Sequence, residues 1–247
     1  MRYLIKFSYD GTSYNGYQSQ PGLDTIQNKI ELALEKINNG KKTTITSTGR
    51  TDKGVHALCQ YGHVDIDIDI TEHKLKRALN SNLPDDIHVI ETKIVNDDFH
   101  ARYNVESKEY KYYINLGEYN PLERHYVFQY NYALNIEKMK EAIKVFIGTH
   151  DFRAFVTDNK EKDNCIRTIT SASIEKQEEK IVITFVGNGF LRYQVRNMVG
   201  ILIKAGENKI STKDVEKILE SKDRTTSGKT APAVGLYLTD VTYRDKI

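Results

Sequence analysis

Strand-like and helix-like segments follow one another along this chain without a regular alternation. A doubly wound parallel sheet needs a helix after nearly every strand, so the pattern points instead to an α+β chain whose sheets are largely antiparallel. Residues 2–9 (RYLIKFSY) carry the Leu, Ile, Phe and Tyr of a strand and stop at the turn pair Asp10-Gly11. Asp24 heads a predicted helix in which Ile26, Ile30, Ala33, Leu34 and Ile37 recur at helical spacing, with Gln27 as capping-box partner and Gly40 as terminator. A strand is expected over 60–70, where Asp65-Ile66-Asp67-Ile68-Asp69-Ile70 alternates and puts isoleucines on one face and carboxylates on the other. Those carboxylates lack the glycine turn of a calcium loop, so they read as a solvated face and no metal is assigned to them.

A helix over 72–80 and a strand over 87–95 complete the first half. The second half shows strands near 108–116, 126–130, 166–175, 180–187 and 234–244, with helices near 136–147, 190–205 and 212–220. Ser211, with Asp214 three residues on, caps the last of these helices. The 247 residues exceed one typical domain of about 100–200 residues, and two are expected, an N-terminal α+β domain over 1–105 and a C-terminal one over 106–247. No low-complexity linker divides them, so tight packing around a central cleft is the expectation.

Charge narrows the choice of partner only a little. Thirty-six basic and 34 acidic side chains leave a net charge of +2, so a polyanion would have to be held by a local basic surface. Residues 1–105 hold 13 basic against 14 acidic side chains, and residues 106–247 hold 23 against 20. No apolar run approaches the roughly 18 residues of a membrane span, and the start MRYLIKFSYD has no long apolar stretch followed by a cleavage site, so a cytoplasmic protein is expected. Cys59 and Cys165 lie far apart and form no Cys-x-x-Cys pair, so they read as small buried hydrophobes.

Familiar catalytic motifs are missing. Gly228-Lys229-Thr230 resembles the end of a phosphate-binding loop, but Asp223 stands where that loop needs its first glycine. The seven histidines form no His-Glu-x-x-His pair, and no Gly-x-Ser-x-Gly elbow occurs.

The stretch that carries chemistry is residues 47–57, a polar, turn-forming segment leading toward a strand. Asp52 sits there between Arg50 and Lys53, whose charges favour its ionised form. A lone Asp in a turn is ordinarily a turn residue. Here, however, Gly49-Arg50-Thr51-Asp52-x-Gly54-Val55-His56-Ala57 resembles the signature loop of the TruA family of tRNA pseudouridine synthases. The resemblance runs almost the full length of the chain. It includes Tyr9-Asp10-Gly11-Thr12, Gly16-Tyr17-Gln18, Asn82-Leu83-Pro84, Asp97-Asp98-Phe99-His100-Ala101-Arg102 and Tyr110-Lys111-Tyr112. It continues in Gly189-Phe190-Leu191, Val195-Arg196-Asn197-Met198-Val199-Gly200, Lys229-Thr230-Ala231-Pro232 and Gly235-Leu236-Tyr237-Leu238. Two positions depart from it: Tyr17 stands where the family often has Trp, and Lys53 where it often has a small residue.

The resemblance implies isomerisation of uridine to pseudouridine on the 3′ side of the tRNA anticodon stem-loop, with no cofactor and no metal, by a homodimer. Asp52 would be the nucleophile or initiating base, since a carboxylate with an ordinary pKa of about 3.9 is ionised at neutral pH without a general base. Arg196 matches the family position for the cation that keeps Asp52 ionised when the substrate excludes water. Arg50 would enter the RNA and hold the target nucleotide out of its stack. Tyr110 would stack on the extruded uracil and serve a proton transfer, while Val55 and Leu238 pad the pocket and His56 joins them among the substrate-binding positions. Without the resemblance, Tyr110 reads equally as a cross-strand residue of the Tyr110, Tyr112, Tyr113 cluster. Two rival readings are a catalytically silent RNA-binding module and a base-releasing nucleoside glycosidase. Intact Arg50-Thr51-Asp52 with Arg196 argues against the first, and the second needs a further carboxylate as acid and would release free uracil.

Overall fold

In the computed structural model, which describes residues 1–156 and 164–244, the chain opens with strand β1 (Arg2–Tyr9). There follow α1 (Ile26–Ile37), β2 (Thr46–Ser47), β3 (His56–Asp65), α2 (Glu72–Asn82), β4 (Ile87–Val95) and β5 (Val105–Asn115). Next come β6 (Phe128–Gln129), α3 (Ile136–Ile143), β7 (Gly148–Asp151), β8 (Ile166–Gln177) and β9 (Lys180–Gly187). The chain closes with α4 (Gln194–Gly206), α5 (Thr212–Ser221) and β10 (Leu236–Tyr243). It divides into two units, one comprising residues 1–106 with the chain from Leu238 on, the other spanning Ser107–Tyr237.

The first unit is built on β1, which pairs antiparallel with β3 on one side and β4 on the other. β10, most of which belongs to this unit, lies beyond β3, and β2 also pairs with β3. The period-two pattern of β1 sends Tyr3, Ile5, Phe7 and Tyr9 into the core, where Phe7, Tyr9 and Tyr17 form a ring cluster. α1 adds Ile26, Ile30, Ala33 and Leu34 from one helical face, and α2 adds Leu75 and Leu79.

Local signals misplace two features here. α1 is capped by Thr25, whose extended backbone aims Oγ1 at the Asn28 N–H, and not by Asp24. Gln27 closes no capping box: it accepts from the Ser19 N–H at 3.0 Å and donates to Glu31 at 2.8 Å. β3 begins at His56 and ends at Asp65, so the alternating residues 66–70 are not strand. The cause lies in the partner. β1 starts at Arg2, which pairs with Asp65, and past that pair Ile66 exchanges backbone bonds with Met1 without extending either strand.

In the second unit the strand order is β5-β9-β8-β7, with every neighbouring pair antiparallel, and the short β6 runs parallel to β5. α3 packs against α4 and β8, and α5 packs against α3. Tyr112, Ile114, Phe146, Phe155, Phe185, Met198 and Leu202 are buried in the core of this unit. The capping box at α5 forms as predicted, with Ser211 and Asp214 satisfying one another's backbone N–H groups. α4, by contrast, starts at Gln194 and not at 190, because Tyr193 takes a left-handed backbone (φ 63°) that no helix interior accommodates. Leu191 and Arg192 therefore precede the helix.

Both units combine antiparallel sheet with helices, so the fold is α+β. Both cysteines are buried, as the sequence reading expects. Among the described residues no helix is long and apolar enough to cross a membrane.

Candidate active site

The Asp52 loop joins β2 to β3, and the core of its own unit fixes it from several directions. At its start, Thr48 donates from its backbone N–H to the Tyr61 carbonyl, and the Gly49 carbonyl accepts from Ser47 Oγ and Gln60 Nε2. In the middle, the Thr51 carbonyl accepts from Tyr17 N–H at 3.1 Å, and Thr51 Oγ1 meets Tyr9 Oη at 2.9 Å. Burial raises the Tyr9 phenol well above its ordinary range, so it stays neutral and keeps that bond. The Val55 N–H closes the turn on the Asp52 carbonyl at 3.1 Å. Val55 itself packs against Gly11, where any Cβ would overlap the Val55 carbonyl, so the Asp10-Gly11 turn needs glycine for close approach. A carboxylate on a turn held this way is preorganised, with little conformational entropy left to lose on binding.

Exposure separates the residues of this loop. Arg50 and Lys53 are exposed, and Asp52 is half-buried. Val55 and His56 are each 2% exposed. His56 Nδ1 accepts from the Gly11 N–H at 3.1 Å and lies 3.1 Å from Asp10 Oδ1. In this structure His56 therefore ties the loop to the Asp10-Gly11 turn from inside the unit. Leu238 is buried as well, at 1% exposure.

The second unit carries Arg196 and Tyr110. Arg196 is half-buried in the first turn of α4, which contains no acidic residue. A cation there opposes the helix dipole at a cost of about 0.3–1 kcal/mol, so its placement serves something other than helix stability. Arg196 Nε donates to the Ala231 carbonyl at 2.8 Å, and the Ala231 N–H returns a bond to the Arg196 carbonyl at 3.1 Å. Its guanidinium carbon lies 5.3 Å from the centroid of the Tyr193 ring, which also carries Arg192 at 5.0 Å. Tyr110, on β5, is 8% exposed and meets Phe190 edge-on at 5.2 Å between ring centroids. It is a buried strand residue opposite Phe185 of β9, which is the cross-strand placement read from the sequence.

The sequence profile described as tRNA pseudouridine synthase matches residues 6–104 and 142–244. The chain belongs to this family. Relatives named tRNA pseudouridine synthase A agree along nearly the whole length. The protein of Streptococcus pneumoniae (strain 70585) is 42% identical over 247 residues, covering 99% of each chain. That of Streptococcus uberis is 43% identical over 248 residues with the same coverage, and that of Limosilactobacillus reuteri (strain DSM 20016) is 42% identical, covering 98% of this chain and 96% of its own. In this tRNA pseudouridine synthase family member, the backbone of the Asp52 loop is held within the first unit, and Arg196 bonds to Ala231 within the second.

Sequence reasoning missed the residues that hold Arg196 in place. Asn197, 0% exposed, donates to the Phe155 carbonyl and accepts from Thr230 Oγ1 at 2.7 Å and Arg224 at 3.1 Å. The motifs Val195-Arg196-Asn197 and Lys229-Thr230-Ala231-Pro232 hinted at part of it, but Arg224, an arginine in a short polar turn, reads as a solvated residue.

Proposed function

We propose that this enzyme converts uridine to pseudouridine on the 3′ side of the anticodon stem-loop of tRNA, with Asp52 as the reacting carboxylate and no metal or cofactor taking part. The observation that carries this reading is the half-buried Asp52 on a turn clamped by Tyr17, Tyr9 and the Asp10-Gly11 turn, within a family signature that the rest of the chain matches. The reaction breaks the bond from uracil N1 to ribose C1′ and forms one from uracil C5 to the same carbon. The hydrogen on C5 leaves as a proton, and N1 takes one up. Each route open to a carboxylate begins with ionised Asp52: attack on C1′, attack on the pyrimidine ring, or proton removal that starts elimination to a glycal.

Arg50, exposed on the loop, supports extrusion of the nucleotide by filling the place of the departed base, a step costing a few kcal/mol of stacking. Arg196 supplies the cation that keeps Asp52 ionised once the base has displaced water. Tyr110 offers a ring edge and a hydroxyl to the uracil, and Val55 and Leu238 back the site as buried apolar residues. The working form is a homodimer in the cytoplasm, where its tRNA substrate is found.

The test uses tRNA tritiated at uracil C5, since only rejoining at that carbon releases the label. Asp52→Asn is expected to lower tritium release below about one per cent of the normal rate while tRNA binding survives, because phosphate contacts supply most of the affinity. Arg196→Lys is expected to lose most activity too, lysine lacking the planar fork. Activity of Asp52→Asn well above that line, or free uracil among the products, would overturn the assignment.

A further inference from the structure

The segment Ser227–Pro232 lies along one side of α4 as a strap, and the helix is shaped to receive it. At Gly200, one turn after Arg196, an added Cβ would overlap the Lys229 carbonyl, so only glycine lets the strap this close. One turn further, the Lys204 side chain packs on Gly228. The spacing 196, 200, 204 is one helical face, and the strap covers it from Ala231 back to Gly228.

Two polar side chains hold the strap from outside α4. The Tyr112 hydroxyl donates to the Pro232 carbonyl at 2.7 Å. Arg224 makes four bonds with its two terminal nitrogens. One nitrogen reaches Ser227 Oγ at 2.8 Å and the Gly228 carbonyl at 2.9 Å; the other reaches Asn197 Oδ1 at 3.1 Å and Thr230 Oγ1 at 3.0 Å. A planar guanidinium can bridge four acceptors set this way, and neither an amine nor an amide can. Arg224 therefore binds the strap at three residues and α4 at Asn197, the residue next to Arg196.

We propose that Arg224 is a positioning residue of the reaction: it locks the strap against α4 so that the Ala231 carbonyl holds Arg196 Nε in a single orientation. The Ala231 carbonyl occupies one donor of Arg196 and fixes the plane of its guanidinium, which sets where its remaining donors point. Loosening the strap lets that plane rotate without removing the charge, and a misplacement of about 1 Å at a catalytic group costs roughly a hundredfold in rate. The proposal rests on the catalytic reading of Arg196 given above.

The experiment is a double-mutant cycle on the full-length enzyme, with kcat and KM measured by tritium release. Arg224→Gln is expected to lower kcat about tenfold or more with KM for tRNA within about twofold, and Arg224→Lys to fall between it and the unaltered enzyme. In an Arg196→Lys background, adding Arg224→Gln is expected to lower kcat little further, because its effect runs through the arginine already lost. If Arg224→Gln fails to fold by circular dichroism, Thr230→Val, which deletes the hydroxyl shared by Arg224 and Asn197, enters the same cycle. Full kcat for the strap variant beside a slow Arg196→Lys enzyme, or an equal fold-loss in both backgrounds, overturns the positioning role alone. Full activity of Arg196→Lys overturns the catalytic reading beneath it.

Discussion

Tyr110 is built into a sheet, and its proposed place at the substrate site can be tested separately from that packing. On β5 it sits opposite Phe185 of β9, and its ring lies edge-on to Phe190 in the segment leading into α4. Tyr110→Phe keeps the ring and its packing and loses only the hydroxyl, so it is expected to bind tRNA normally and to fold with unchanged stability while turning over more slowly. Tyr110→Ala opens a cavity, which for a buried aromatic costs about 3–5 kcal/mol, and it removes the stacking surface as well. Urea melts and tRNA titrations on the two variants separate these effects. Normal affinity and rate in the Ala variant would assign Tyr110 to the sheet alone.

At the scale of elements, legibility follows the range of the deciding interaction. The α5 capping box, the span of β1 and the span of β4 rest on residues within a few positions of one another, and they are readable in sequence. The end of β3 rests on where β1 begins, some sixty residues away, so its isoleucine alternation misleads. The same holds for the proposed site: Asp52 stands in a contiguous motif, whereas the bonds of Arg224 form only when a turn, a strap and α4 come together. His63 is a further case of a long-range role that the sequence hides. Its Nδ1 accepts from the Ala101 N–H at 3.1 Å, tying β3 to the segment after β4, and burial, with Arg2 and His100 nearby, pushes its pKa down to about 4. Unfolded, it titrates near 6.5, so between pH 6.5 and 4 the unfolded chain holds more protons than the folded one. Stability from this group is complete above pH 6.5 and is lost as pH falls, by about 3 kcal/mol on reaching pH 4. Urea unfolding followed from pH 7.5 down to 4.5 is expected to show that decline, and His63→Gln, which retains an acceptor but does not titrate, is expected to flatten it. An unchanged slope in the variant would exclude His63 as its source.

For the molecule as a whole, the balance of charge bears on assembly. With 36 basic and 34 acidic side chains, one chain presents a modest cationic surface to a tRNA that extends far beyond a single nucleotide pocket. Binding to a polyanion gains from each phosphate neutralised, through release of condensed counterions, so affinity at fixed salt rises with the number of basic side chains brought to bear. Pairing two copies doubles that number, so a homodimer is the expected way for a nearly neutral chain to hold a large anion. Light scattering is therefore expected to give a mass near twice 28.4 kDa at micromolar concentration. The logarithm of tRNA affinity is expected to fall steeply and linearly with the logarithm of salt concentration, and dilution into the monomer range is expected to weaken binding and make that slope shallower. A monomer that bound tRNA with the same slope and modified it at full rate would show that one chain alone builds the RNA surface.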